Sequence, residues 1–340
     1  MNQRFVTIGK YVAMLGLGMF LLWLVMRKVD DPKAFWEEMQ TAELWSIGLS
    51  VAFGYLAIMS RGWRWLLLLR PLGHRPKRFN SVNAVAFGYF SNTFIPRSGE
   101  VTRCAMLKET DDVPVDESFG TVITERVIDM AMLIVLMSVT FLTQLDLVFD
   151  TLEKVRCQLS NAESPEESGF PWMRVILGLL ALLSLLLWLK RKSLVQSKMY
   201  KRALGLWEGI KKGFLSIRNM EQKWPFIGHT VFIWVMYYLM SYVIFMGMDG
   251  FESLSPAHAL FIMLVGGLGI VIPVPGGLGS YQLFVSSALM AIMSLGCDAL
   301  SAMAGANVVW SVQTSMIILT GGIGYLYLMA KSISKKSPQD

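Results

Sequence analysis

Ile95-Pro96-Arg97-Ser98-Gly99-Glu100-Val101 and Ile272-Pro273-Val274-Pro275-Gly276-Gly277-Leu278 share the pattern Ile-Pro-x-x-Gly at an offset of 177 residues. Both end apolar runs that are short for a bilayer. A spanning helix needs about 20 mainly apolar residues to cross ~30 Å. Val82–Pro96 is shorter and carries Asn83, Ser91 and Asn92, while Leu260–Ile272 and Tyr281–Leu295 have 13 and 15 residues. Proline ends a helix by removing a backbone donor, and glycine permits positive φ and close approach. In the second stretch Pro273, Pro275, Gly276, Gly277 and Gly279 are such breakers. The chain is therefore expected to enter the apolar slab, turn and leave on the same side at both places. A pair of short tilted spans at each place would preserve the same topology. Helix ends meeting at such tips would offer unpaired N–H and C=O groups to a ligand.

The composition agrees with that setting. The 340 residues are 54% hydrophobic and 16% charged, against roughly 25% charged in soluble domains. Six stretches come close enough to that length to qualify as full spans: Ile8–Met26, Leu44–Met59, Phe119–Leu142, Trp172–Leu189, Trp224–Met248 and Ala302–Met329. The first is read as a retained anchor, because no small-residue cleavage site follows it. Lys and Arg orient the spans. Arg61, Arg64, Arg70, Arg75, Lys77 and Arg78 lie between the second and third spans, and a second basic block fills the stretch from Lys190 to Lys223. Both blocks and the Lys331–Lys336 tail are placed in the cytoplasm, with the acidic Asp146–Phe170 loop outside. The two hairpins then enter from opposite sides.

The expected fold is all-α: a polytopic membrane protein of about six spans plus two re-entrant helical hairpins, arranged as inverted repeats. Residues 1–145 form the first repeat, 146–170 an extracytoplasmic loop, and 171–340 the second repeat. An interfacial amphipathic helix is expected near residues 201–218. Both termini are expected on the cytoplasmic side of the inner membrane.

Ionisable residues at depth locate the expected site. Glu125 and Asp129 share one helix face at i, i+4, and Arg126 points elsewhere. Such groups in an apolar helix normally pair or line a polar cavity. Arg97, Glu100 and Arg103 follow the Pro96 tip at spacings of three, so Arg97 and Arg103 are placed to meet Glu125 and Asp129 or to grip phosphate oxygens. Together with Asn92, these residues form the expected headgroup site. Pro96, Gly99, Pro273, Pro275, Gly276, Gly277 and Gly279 form the tips and gate. Arg61-Gly62-Trp63-Arg64-Trp65 reads most simply as an aromatic and basic membrane boundary, and otherwise as a phosphate contact. Asn307 and Gln313 read as interhelical glue.

Several chemistries are missing. Cys104, Cys157 and Cys297 offer no disulfide framework and no metal spacing. His74, His229 and His258 are scattered, and there is no P-loop, dinucleotide fingerprint or nucleophile elbow. No cofactor, nucleic acid or soluble-type catalysis is expected. An intramembrane transferase using Glu100 or Glu125 as acid or base stays open.

The combination Asn92-x-x-x-Pro96-Arg97-x-Gly99-Glu100-x-x-Arg103, Glu125-Arg126-x-x-Asp129 and Pro273-x-Pro275-Gly276-Gly277-x-Gly279 resembles the lysylphosphatidylglycerol synthase transmembrane-domain family. The likeness covers roughly residues 8–330. It implies a flippase-like protein handling a polar-headed lipid: an anionic or aminoacylated phospholipid, a glycolipid or a polyprenyl lipid. Nothing here resembles the synthase domain fused to the best-known members, so aminoacyl transfer is not expected. The alternative role is an accessory subunit supplying lipid to a partner synthase or glycosyltransferase.

Overall fold

The computed structural model describes residues 3–159, 222–296 and 299–336. The expected fourth span at Trp172–Leu189, the interfacial helix near 201–218 and most of the basic block before Trp224 lie outside the described residues. Eleven α-helices are present among the described residues, with no strand. They are α1 (Gln3–Met26), α2 (Pro32–Met39), α3 (Leu44–Leu69), α4 (Arg78–Phe94), α5 (Gly99–Asp111), α6 (Val115–Thr143), α7 (Leu145–Leu159), α8 (Lys223–Met246), α9 (Pro256–Val271), α10 (Ser280–Ile292) and α11 (Leu300–Lys336). Four of them, α3, α6, α8 and α11, are long and apolar enough to cross a membrane, and α1 carries a shorter apolar run, Tyr11–Met26.

Both short apolar pairs form helical hairpins, α4/α5 and α9/α10. The long helix α11 shows how they are disposed. Near its start, Gly305 packs against the Phe251 and Phe245 rings beside the base of the second hairpin. Trp310 Nε1 donates to the Gly276 carbonyl at that hairpin's tip, 2.9 Å away. Further along, Gly321 packs against Phe90 and Ala86, and Gly324 against Asn83, all on α4. Near its end, Lys331 Nζ donates to Asn80 Oδ1 at 2.7 Å, at the base of the first hairpin. From Gly305 to Lys331 the helix advances roughly 40 Å at 1.5 Å per residue. The hairpins therefore approach from opposite ends of α11. Their tips meet, with Gly276 packed on Thr93.

The second tip also nests on α1. A Cβ at Gly279, where φ is +77°, would collide with the Gly18 carbonyl oxygen and the Leu22 amide. Gly18 lies in the middle of the apolar run of α1, which sets the tip at mid-depth. Side chains take up some of the helix-end groups that the sequence analysis expects to stay open at the tips. Gly99 N–H donates to Asn92 Oδ1 at 2.7 Å, and Ser91 and Ser98 hydroxyls pair at 2.6 Å. Gly279 N–H donates to Gln282 Oε1 at 2.7 Å, and Ser280 Oγ donates to the Gly269 carbonyl at 2.7 Å. A buried backbone group must find a partner, and here side chains supply it.

Three further expectations change. The second span does not stop at Met59 but continues as α3 to Leu69, because Arg61 and Arg64 find buried acidic partners and need not sit at a boundary. The acidic segment after Asp146 begins as a helix, α7, whose Thr151, Cys157 and Gln158 are buried. Its apolar positions recur at helical spacing, and Gln158 Nε2 donates to Ser286 Oγ on α10 at 3.0 Å. Finally, Cys157 is disulfide-bonded, whereas Cys104 is free and buried. Cysteine spacing along the chain says nothing about which thiols packing brings together. Gln313 does serve as interhelical glue, donating to Ser241 Oγ on α8 at 3.2 Å.

The nesting of the second tip has a measurable consequence. Gly279→Ala adds steric overlap to a left-handed backbone and should lower unfolding stability by about 3 kcal/mol. Gly73, at φ +87° with nothing within 4 Å of its added Cβ, should lose only about 1 kcal/mol on the same change. Thermal unfolding in detergent compares them, and equal losses would rule out tip packing as the cause.

Candidate functional site: a buried cluster of arginines and carboxylates

Two helices present matched rows of opposite charge. On α3, Arg61 and Arg64 are spaced i, i+3 and stack on one face. On α6, Glu125 and Asp129 are spaced i, i+4 and do the same. The rows face one another. Arg64 Nη2 lies 3.0 Å from Glu125 Oε1, and Arg64 Nη1 lies 2.9 Å from Asp129 Oδ1. Arg61 Nη2 lies 2.6 Å from Asp129 Oδ2, and its Nε lies 3.5 Å from Glu125 Oε1. Arg103 on α5 completes the Glu125 carboxylate from the other oxygen, with Nη2 at 3.1 Å. Glu125 and Arg64 are fully buried.

A shell of aromatic and hydroxyl groups holds the guanidiniums. Arg103 lies over the Trp65 ring at 4.7 Å, and Trp65 Nε1 donates to Thr121 Oγ1 at 2.8 Å. Arg61 lies 5.6 Å from the Tyr89 ring centroid and 6.0 Å from that of Tyr237. Those two phenols hydrogen-bond each other at 2.8 Å, joining α4 to α8. Arg64 Nη1 also donates to Thr230 Oγ1 on α8 at 3.0 Å. Gly62 lets α4 approach, since a Cβ there would lie 2.7 Å from Val82 Cα. Guanidinium suits such a setting because it is weakly hydrated and stacks on aromatic faces.

Of the expected site residues, Arg103, Glu125 and Asp129 are in the cluster. Glu100 and Arg126 form a pair of their own beside it, 2.9 Å apart and partly exposed. Asn92 caps the start of α5. Arg97 does not join them. It is exposed at the tip in a left-handed conformation, φ +65°, with no ion pair among the described residues. The turn at Pro96 aims it away from the helix face that carries Arg103. Arg61 and Arg64 take its place. Their signal was present in the sequence as a spacing complementary to Glu125 and Asp129. The aromatic residues around them made the segment look like a membrane boundary instead.

Beside the cluster lies a cavity of about 10 Å³, lined by Arg61, Tyr89, Asn92, Arg103 and Arg126 among others, with room for about one water. Among the described residues, the cavity beside the cluster is thus far smaller than a lipid headgroup. No group of three or more His, Cys, Asp or Glu able to hold a metal occurs among the described residues.

Breaking a buried ion pair by removing one partner costs about 3–5 kcal/mol. Arg64→Ala should therefore destabilise the protein by up to about that amount, because Glu125 and Asp129 each lose one guanidinium partner. Arg97→Ala should change stability by under about 0.5 kcal/mol. Denaturation of both variants in the same detergent tests this, and a comparable loss in Arg97→Ala would contradict the pairing described.

Among curated proteins, none matches this chain. The sequence does match the family described as Lysylphosphatidylglycerol synthase TM region over residues 11–321. That stretch takes in the α4/α5 hairpin, the charged cluster and the Pro273–Gly279 tip. The chain accordingly belongs to the lysylphosphatidylglycerol synthase transmembrane-region family.

Proposed function

We propose that this protein is a lipid translocase of the cytoplasmic membrane. It moves a polar-headed phospholipid or glycolipid between leaflets, with both termini in the cytoplasm. The observation that carries this reading is the buried cluster of Arg61, Arg64, Arg103, Glu125 and Asp129 directly beneath a hairpin tip. Charges at membrane depth are costly, and they mark substrate pathways when they recur in one place. Two hairpins entering from opposite ends and meeting tip to tip are the architecture of alternating-access carriers. In the present closed conformation the tips pack together. Rocking the α4/α5 hairpin against α3, α6 and α8 would open the polar interior toward one leaflet while the acyl chains stay in lipid.

Orientation has two independent supports. Exposed Arg75, Lys77 and Arg78 lie at the connection before α4, and basic connections face the cytoplasm. Cys157 is disulfide-bonded, and disulfides persist on the oxidising side. It sits near the base of the second hairpin, where Lys154 Nζ donates to the Leu295 carbonyl at 2.7 Å. The two markers lie at opposite ends of α11, as an outward-facing second hairpin requires.

The test is reconstitution into liposomes carrying a fluorescent phospholipid in both leaflets, followed by a membrane-impermeant quencher. Protein-free vesicles keep the inner-leaflet label. Vesicles with the protein should lose it, and Arg61→Lys, which retains charge but loses the planar fork, should slow the loss by about tenfold. A protein inert toward every lipid class, yet raising the output of a co-expressed lipid synthase or glycosyltransferase, would be an accessory subunit instead.

A further inference from the structure

A second, apolar cavity lies away from the charged cluster. It measures about 130 Å³ and opens between α6, α7 and the second hairpin, with Thr140, Phe141, Val148, Leu264, Leu268 and Phe284 among its walls. Leu264 at its floor is buried, while Phe141 and Leu268 at its rim are exposed. An engineered apolar cavity of about 150 Å³ holds benzene, so this one has room for a short stretch of hydrocarbon chain. One end lies near a membrane boundary. There α6 stops at Thr143, and Gln144 Nε2 donates to the Ala257 carbonyl in the first turn of α9 at 3.2 Å. The wall at that end carries a polar atom. Thr140 is 5% exposed, and its Oγ1 has no hydrogen-bond partner among the described residues. Thr143, Thr151 and Thr230 instead donate to the carbonyl one turn back, at Val139, Leu147 and Phe226. A buried hydroxyl left unpaired is costly.

We infer that this groove seats one fatty-acyl chain of a glycerolipid, whose ester carbonyl accepts a hydrogen bond from Thr140 Oγ1. Ester carbonyls lie at the edge of the hydrocarbon core, the depth at which α6 ends and α9 begins. Leu264 and Leu268 follow along α9 toward its tip, and Phe284 returns on α10, so the apolar walls continue inward from that edge. Lipid tails gain no hydrophobic energy by exchanging other tails for protein. Packing in the groove and the single hydrogen bond therefore decide occupancy. The headgroup lies beyond the groove, and no Lys, Arg, Asp or Glu is among the described walls. This seat shares no residue with the charged cluster, and it holds whether the protein moves lipid or only supplies it to a partner. A chain seated there would wedge the second hairpin against α6 and α7.

Native mass spectrometry of the purified full chain in a neutral detergent tests this. The probes are a diester phosphatidylcholine, the diether phosphatidylcholine with the same chains, the corresponding pair of phosphatidylglycerols, and oleate. The diester should be retained about fivefold over the diether, the worth of one hydrogen bond, with either headgroup. Thr140→Val keeps the shape and removes the donor. It should bring the diester down to the diether and leave the diether unchanged. Val148→Trp fills the groove and should lower retention of the diester by about tenfold. Equal retention of diester and diether by the wild-type chain would overturn the inference, as would a preference that survives in Thr140→Val. If Thr140→Val fails to fold, Val148→Trp decides, and an unchanged ester preference there overturns the groove. Oleate displacing the diester at equal concentration would overturn the glycerolipid source. Absence of liposome transport would remove the translocase reading and leave this seat standing.

Discussion

Four buried ionised side chains, Arg61, Arg64, Arg103 and Glu125, and the mostly buried Asp129 must satisfy one another or the helices that bear them cannot sit together. That constraint organises this protein. Glu125 meets Arg61, Arg64 and Arg103, and Asp129 meets Arg61 and Arg64. The cluster therefore joins α3, α5 and α6 in one arrangement. A rotation of α6 by one residue, about 100°, would carry both carboxylates away from their partners. In water such a penalty is soft. In an apolar interior it reaches several kcal/mol per ion, enough to select one register over its neighbours.

Packing of small residues does the rest. Gly62 against Val82, Gly88 against Gly99, and Gly321 against Ala86 bring backbones close where lipid offers no hydrophobic drive for association. The two hairpins consequently lean on a common helix, α11, whose first half supports one and whose second half supports the other. The bonds at its two ends differ in kind. Trp310 holds the second tip through a single backbone carbonyl. At the base of the first hairpin, Asn80 accepts from Tyr327 and Lys331 while donating to Asp111 at 2.6 Å. Among the described residues, α11 thus holds the first hairpin's base through two hydrogen bonds to Asn80 and the second hairpin's tip through the Trp310 bond.

Much of this was legible beforehand because bilayer physics leaves few options. Length of apolar run, basic residues at the connections and the Pro/Gly breaks imply helices, hairpins and their opposed entry. Each of those inferences uses a local property. The charge cluster was only half legible. Glu125, Asp129 and Arg103 stood out as charges in apolar or tip-adjacent helices. Arg61 and Arg64 did not, since a basic residue beside tryptophan is the ordinary mark of an interface. Arg97 looked like a member of the site from its spacing of three to Glu100 and Arg103, but it is exposed at the left-handed turn of the tip. The Cys157 disulfide left no trace in cysteine spacing.

Sequence alone therefore determined what each segment must avoid: water for the apolar runs, continuous helix at Pro96 and Pro273, and isolation for any charge at depth. Those are one-body costs, set by a residue and the medium around it. Which guanidinium meets which carboxylate, how far α3 extends past Met59, and whether the polar interior is open or shut were decided by tertiary structure alone. These depend on pairs of residues distant in the chain. Their energies fall off within a few ångströms, so only the assembled helices bring them into play.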